Sequence, residues 1–412
     1  MDAARNLETT VPRRAQVNLP EIAASVRKLA PGFAGRALAT EQGCTVPPEH
    51  VDALCDLGFF KLVQPRAFGG FEDDFDLLVD LTIEIARSCA STAWVCGLLA
   101  AHQWLVASFS GEAQHEVWDD NPDALVCGSY APVAIATAVD GGYALSGRWS
   151  FASGCDNAQW ALCAAALPEL PERSDGAPPM PAFLLVPASD YTIDDTWQVI
   201  GLAGTGSKTL VLENAIVPAH RVLTFQESTS GKTPGARLYA DNPTFSIPML
   251  CNIPSCLAAV AVGAAFGALG DYLATTEGRV TRGAVAGASN RMAEFATVQL
   301  RVAEAAASVD AAREILLRDL RTRAGASRAG HEITIEDRIT SRRGQAFAVS
   351  LAIRATEALN ASTGGYGLNL SNPVQRAWRD ANAVGRHVSM NWDAVGTMYG
   401  QLALGLQPIG QY

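Results

Sequence analysis

The spacing of hydrophobic residues changes period twice along this chain, and the changes divide it into three parts. From Pro20 to about Asn121 the apolar positions recur at helical spacing. Pro48 opens a segment in which Val51, Leu54, Cys55 and Leu57 to Phe60 share a face. Leu77 to Leu105 is a long apolar run with charges only at its start, as in buried helices. Between them, Q-P-R-A-F-G-G-F-E-D-D predicts a loop turning at Gly69-Gly70, with Glu72-Asp73-Asp74 as a solvated helix entry favoured by the helix dipole. From Ala124 to about Phe225 short β-rich runs take over, at 124–130, 133–139, 142–153, 159–167, 182–187, 190–199 and 209–217. Strands this short and this many predict a small barrel or sandwich.

After a polar connector, Glu227 to Gly235, the helical period returns in four long elements: Ser255–Glu277, Arg291–Leu320, Ile335–Asn360 and Ala377–Leu404. In the second of these Phe295, Val298, Val302, Val309, Leu316 and Leu320 form one stripe. The expected organisation is a disordered tail at 1–17, an N-terminal helical domain at 18–123, a β-domain at 124–226 and a C-terminal helical bundle at 227–412. The fold class is mostly α with a central β-domain.

One stretch carries candidate chemistry. In S-G-R-W-S-F-A-S-G-C-D-N-A-Q-W, Ser146 to Trp160, period-2 alternation puts Trp149, Phe151 and Ser153 on one face and Ser150 and Ala152 on the other. Two aromatic rings and a hydroxyl, followed by Gly154, suit a flat heterocycle with polar edges. The same pattern also describes a half-buried strand whose aromatics fill a core.

Composition narrows the function classes. The chain has 412 residues, 49% hydrophobic and 18% charged, enough for two or three well-buried domains. A net charge of −11 argues against nucleic-acid or anionic-membrane surfaces. Nine cysteines without a C-x-x-C pair read as reduced thiols of a cytoplasmic protein. The N-terminus lacks the apolar core of a signal peptide, and the most apolar run, about Cys256 to Leu269, reads as too short to span a membrane. G-L-A-G-T-G-S-K-T, Gly201 to Thr209, fails as a phosphate loop because Ser207 holds the lysine position and a strand follows. No G-x-G-x-x-G follows a strand, the six histidines show no metal-binding spacing, and no G-x-S-x-G elbow occurs. Redox chemistry would need a bound cofactor reduced from outside.

The helical–β–helical order, W-S-F-A-S-G, G-L-A-G-T-G-S before a strand and Gly364-Gly365-Tyr366-Gly367 together resemble the acyl-CoA dehydrogenase fold from about residue 20 onward. That resemblance implies an N-terminal helical domain, a small β-barrel and a C-terminal four-helix bundle. A flavin would lie against the β-domain, and the G-G-Y-G turn beside the cofactor of a neighbouring subunit. In the dehydrogenases a glutamate typically stands nine residues after the arginine of R-D-A; here Val388 occupies that place after Arg379-Asp380-Ala381. A base relocated to Asp271 or Glu277 would preserve the dehydrogenase reading. Arg379 to Asp393, R-D-A-N-A-V-G-R-H-V-S-M-N-W-D, instead resembles the reduced-flavin-dependent oxygenases of two-component aromatic hydroxylases, the 4-hydroxyphenylacetate and secosteroid phenol hydroxylases. Trp94 and His102, Ser129, and Ser153 match further positions of that family.

The resemblance implies a monooxygenase that takes reduced FMN or FAD with O2 from a separate NAD(P)H:flavin reductase, assembles as a homotetramer, and hydroxylates a small phenolic or indolic substrate. His387 is the expected base: near neutral pH an imidazole can take a phenol or ring N–H proton, so that the ring attacks a flavin C4a-hydroperoxide. His102 is a second catalytic candidate and, with Trp94 and Asn391, a substrate contact. Ser129, Ser153, Trp149, Phe151, Gly364 and Gly365 are candidate cofactor contacts. Arg279 or Arg282, expected at the start of the second bundle helix, would bind the cofactor phosphate as a fork. Tyr239 to Phe245 is a candidate gating loop. A nitrogen or sulfur monooxygenase and a flavin-binding subunit without chemistry are the remaining alternatives.

Overall fold

The computed structural model describes residues 18–168, 179–281 and 290–412; the expected tail at 1–17 and Arg282 lie outside them. Six helices come first: α1 (Leu19–Leu29), α2 (Ala37–Gly43), α3 (Pro48–Asp56), α4 (Phe75–Ala86), α5 (Ala90–Val106) and α6 (Gly111–Trp118). Eight strands follow: β1 (Val126–Ser129), β2 (Thr137–Val139), β3 (Gly142–Ala152), β4 (Trp160–Leu167), β5 (Met180–Pro187), β6 (Thr192–Asp194), β7 (Lys208–Pro218) and β8 (Val222–Thr224). Short helices α7 (Phe225–Ser230) and α8 (Pro234–Leu238) lead into α9 (Met249–Thr276), α10 (Ala296–Arg328), α11 (Ile335–Ala361), α12 (Pro373–Gly385) and α13 (Trp392–Ala403).

The strands form two four-stranded sheets, ordered β1-β4-β5-β8 and β2-β3-β7-β6. Among the described strands the β1–β4 pair is parallel and the other pairs are antiparallel. β3 slips register against β7 between Leu145 and Gly147 and again between Trp149 and Ala152. The second irregularity is decisive for the expected aromatic wall. Phe151 adopts φ +66°, a left-handed backbone that costs a non-glycine residue energy. The bulge shifts the alternation by one. Trp149 turns fully into the core, its indole Nε1–H donating to Ala164 O at 2.7 Å, while Phe151 stands 68% exposed. The shared face expected of Trp149 and Phe151 does not exist.

α9 is the central helix of the bundle, packed against α4, α5, α10, α11 and α12. It is longer than the apolar run suggested, 28 residues; a window of 18 residues within it has a mean hydropathy of 1.8, enough for a membrane span, yet 78% of that window is buried in protein. A helix apolar on all sides is what a central position demands. Pro254 lies inside it and cannot donate to Leu250 O. Gln345 Nε2, from α11, satisfies that carbonyl at 3.1 Å and also reaches Cys251 O at 3.2 Å.

Three further expectations change. The fourth bundle helix is not continuous: α12 ends at Gly385, α13 starts at Trp392, and His387 lies in the break. The acidic loop is not simply solvated. Asp74 pairs with Arg328 of α10, Glu72 accepts from Asn242 Nδ2 through its carbonyl O at 3.2 Å, and burial lifts the Asp73 carboxyl to about 6. Tyr239 to Phe245 is no free gate, since Tyr239 Oη donates to Gln114 Oε1 and Phe245 is fully buried.

The glycine-rich loop before β7 works by close approach. A Cβ on Gly201 would stand 2.4 Å from Arg379 O of α12. Gly201→Ala is therefore expected to cost about 1–3 kcal/mol through overpacking, read as a lowered melting temperature.

Candidate active site

α5 supplies two of the expected residues from one buried helix, Trp94 and His102, eight residues apart. Gly154, at φ +75°, lets the turn after β3 lie against this helix; a Cβ there would meet Val95 Cγ1 at 2.8 Å. That contact brings Ser153 to Trp94, whose Nε1–H donates to Ser153 Oγ at 2.9 Å. The Trp94 ring meets the His387 ring edge-on, with centroids 5.9 Å apart. Trp94, Ser153 and His387, drawn from three distant segments, thus form one cluster.

His387 caps the short turn between α12 and α13. Its Nδ1 accepts the Ser389 N–H at 3.1 Å. Arg342 of α11 holds the same turn by donating to Ser389 O at 2.8 Å. Burial, and then the Arg342 charge, lower the His387 pKa to about 4. The ring is neutral at pH 7, and with Nδ1 accepting, its proton sits on Nε2. A base at His387 would have to work through Nδ1, where the Ser389 amide already stands.

His102 carries the opposite tautomer. It is 2% exposed, and its Nδ1–H donates to Val126 O at 2.6 Å, so Nε2 bears the lone pair. Nε2 is buried without a hydrogen-bond partner, as is Tyr130 Oη, whose ring centroid lies 5.7 Å from that of His102. Burial lowers His102 to about 4 against the opposing Val126 contact and raises the Tyr130 phenol. Orphaned polar atoms in a dry interior are costly unless a ligand or water meets them. Tyr130 escaped the sequence reading; its only signal was its place beside Ser129 at the end of a β run.

The other expected residues divide. Ser129 Oγ donates to Ser150 O at 2.7 Å, tying β1 to β3. Phe151 stands exposed with its ring edge-on to Trp197 at 5.9 Å. Trp149 belongs to the core and offers no face to a ligand. Asn391 caps α13, its Oδ1 accepting from Ala394 N at 3.3 Å, so that oxygen is engaged in local structure and not held for substrate. Arg279 is not at the start of α10 but in the connector after α9, with Nη2 3.1 Å from where a Gly364 Cβ would stand. Arg279 and Gly364 thus form a second group, and Gly364 and Gly365 border an open cavity of about 410 Å³ with Asn360, Thr363 and Gln375. Asp271, the alternative dehydrogenase base, lines a cavity of only about 30 Å³ with Arg376 and Asp380, room for a water or two and not for an acyl chain.

Two family models match the chain: Acyl-CoA dehydrogenase, N-terminal domain, over residues 20–118, and Acyl-CoA dehydrogenase, C-terminal domain, over 255–392. The flanking helical parts and the sheets between them define a protein of that fold class. The chain is 63% identical over 384 residues to the FADH(2)-dependent resorcinol hydroxylase, oxygenase component, of Rhizobium sp. (strain MTP-10005), covering 92% of this chain and 93% of the relative. The crystal structure of 3-HSA hydroxylase from Rhodococcus sp. RHA1 superposes with a TM-score of 0.88 at 34% identity, over 95% of this chain and 98% of that one. XiaF from Streptomyces sp., in complex with FADH2 and glycerol, gives 0.86 at 28% identity over 95% and 96%. Within the acyl-CoA dehydrogenase fold, the chain belongs to the oxygenase components of flavin-dependent hydroxylases, which are monooxygenases.

Proposed function

We propose that this protein hydroxylates a resorcinol-type phenol, using reduced FAD delivered by a separate NAD(P)H-dependent flavin reductase and acting as a homotetramer. The observation that carries the substrate class is the buried, unpartnered lone pair of His102 Nε2 beside the unpartnered Tyr130 hydroxyl. Such a pair is suited to a small molecule bearing hydroxyl groups. The 63% identical relative, named a resorcinol hydroxylase, supports the choice among phenols.

The residues present fit a flavin: Ser129 and Ser153 offer polar atoms, Phe151 an exposed ring, and Arg279 a cation beside the glycine turn. Bound reduced flavin and dioxygen supply an electrophilic oxygen atom. His102 Nε2 accepts the hydrogen bond of a phenolic hydroxyl and draws its proton as the ring reacts. Electron density then rises at the ortho and para carbons. In a 1,3-dihydroxybenzene both hydroxyls activate the carbon ortho to one and para to the other, so the expected product is the 1,2,4-triol. That carbon gains the C–O bond and loses its hydrogen as a proton, restoring aromaticity. His387, with its proton on Nε2, donates to negative oxygen in the pocket. Trp94, its ring edge-on to that of His387, supplies an aromatic wall for the substrate.

Exposed Tyr366, Leu368 and Leu370, on and after the glycine turn, support assembly with further copies of the chain. The functional test mixes the purified protein with a generic flavin reductase, NADH, FAD and resorcinol under 18O2. One labelled oxygen in 1,2,4-trihydroxybenzene is expected. Complete conversion of oxygen to hydrogen peroxide, with no hydroxylated product from resorcinol or simple phenols, would overturn the reading. Anaerobic bleaching of bound FAD by an acyl-CoA would replace it with the dehydrogenase.

A further inference from the structure

Behind Ser153 runs a buried chain of hydroxyls in which one direction makes the most hydrogen bonds. Thr205 Oγ1 lies 2.9 Å from Leu202 O, which also accepts the Thr205 N–H at 3.1 Å and Trp197 Nε1–H at 3.2 Å; the arrangement that keeps every one of these contacts has Thr205 Oγ1 donating there. Ser207 Oγ lies 2.7 Å from Thr205 Oγ1, whose hydrogen is spent, so Ser207 donates to Thr205. Ser153 Oγ lies 2.7 Å from Ser207 Oγ and by the same logic donates to it. Trp94 Nε1–H, which can only donate, enters the chain at Ser153 Oγ. Ser153 therefore has no hydrogen left and one lone pair left. The far end is fixed as well: Leu202 is held at φ +53°, with its N–H donating to the buried Asp380 Oδ1 at 2.7 Å. Ser129 follows the same rule, its hydrogen committed to Ser150 O.

We infer that this polarised chain makes the Ser153 wall an acceptor-only surface that selects reduced over oxidised flavin, with Ser207 and Thr205 as its positioning residues. The inference rests on the reading that a flavin lies against Ser153. The atom taken to face Ser153 is N5, which bears hydrogen in the reduced form and a lone pair in the oxidised form; N1 keeps its lone pair in the anionic reduced flavin. An acceptor matches N5–H; against oxidised N5 it sets lone pair on lone pair. The wall thus favours taking up reduced flavin and letting oxidised flavin go, as an oxygenase supplied by a separate reductase requires.

The chain gives two independent ways to reverse its sense. Ser207→Ala removes the acceptor for the Ser153 hydrogen and frees it to turn toward the ligand. Thr205→Val removes the acceptor for Ser207, which then donates to Ser153 and again turns the Ser153 hydrogen outward. Thr205→Ser keeps the chain. The measurement is the dissociation constant of FAD in each oxidation state, by fluorescence quenching for the oxidised form and anaerobic titration for the reduced form. Wild type and Thr205→Ser should hold reduced FAD at least tenfold more tightly. Ser207→Ala and Thr205→Val should each lower that ratio about tenfold, mainly by gaining affinity for oxidised FAD. A tenfold change in the ratio is about 30 mV in the potential of the bound two-electron couple. An unchanged ratio in both variants, with wild type binding reduced FAD, overturns the inference and leaves the functional reading standing. A wild type that binds neither form overturns the functional reading, and the inference falls with it. If one variant does not fold, the other makes the same test.

Discussion

His102→Asn is expected to lower hydroxylation about a hundredfold or more while reduced flavin is still consumed, so that hydrogen peroxide replaces the aromatic product. The substitution separates the two ring nitrogens. An asparagine amide can stand where Nδ1 stands and donate to Val126 O, but has nothing at the place of Nε2. Folding should survive and the acceptor should be lost, and general-base contributions of about 10²–10⁴ set the scale. The ratio of hydroxylated product to flavin oxidised is the measurement; an unchanged ratio would remove His102 from the chemistry. The pH profile is its companion. Both His102 and His387 are depressed to about 4, so both rings stay neutral down to about pH 5. The rate should therefore hold from pH 8 to about 5 and fall only below that, where ordinary imidazoles would already have titrated near 6.5. The sign for stability is the same. Unfolded histidines bind protons at a higher pH than these folded ones, so their contribution is complete above about 6.5 and is lost as pH falls toward 4.

Trp149→Ala and Phe151→Ala, two residues apart, should have opposite consequences. Trp149 is fully buried and its indole N–H is bonded to Ala164 O. Its truncation opens a cavity and strands that carbonyl, at a cost of about 3–5 kcal/mol. Phe151 is exposed on a left-handed backbone, so its truncation should change stability by no more than about 0.5 kcal/mol. If the exposed ring stacks on flavin, Phe151→Ala should instead weaken FAD binding several-fold. Denaturant unfolding and FAD titration on both variants check the pair. A strongly destabilised Phe151→Ala, or a Trp149→Ala as stable as wild type, would restore the regular alternation that the bulge breaks.

The sequence by itself determined the helical–β–helical order and the apolar stripes. Each of these is periodic over many residues, and period survives local irregularity: Val298, Val309, Leu316 and Leu320 are all buried as their spacing required. It also marked Trp94, His102, Ser153 and His387, because the family motif carries them.

What it could not reach depends on single residues or on partners far along the chain. One bulge moves Phe151 to the other side of the strand from the place that counting by twos assigned. The break that frees His387 falls inside an uninterrupted helical pattern, where Arg342, 45 positions earlier, binds the carbonyl of Ser389. Most of all, the tertiary structure decided which histidine carries a lone pair at Nε2 and which a proton there. A ring's tautomer follows from what its other nitrogen meets, Val126 O for His102 and the Ser389 amide for His387. The direction of the Ser153 hydroxyl chain follows in the same way, from the Leu202 carbonyl that accepts at its end.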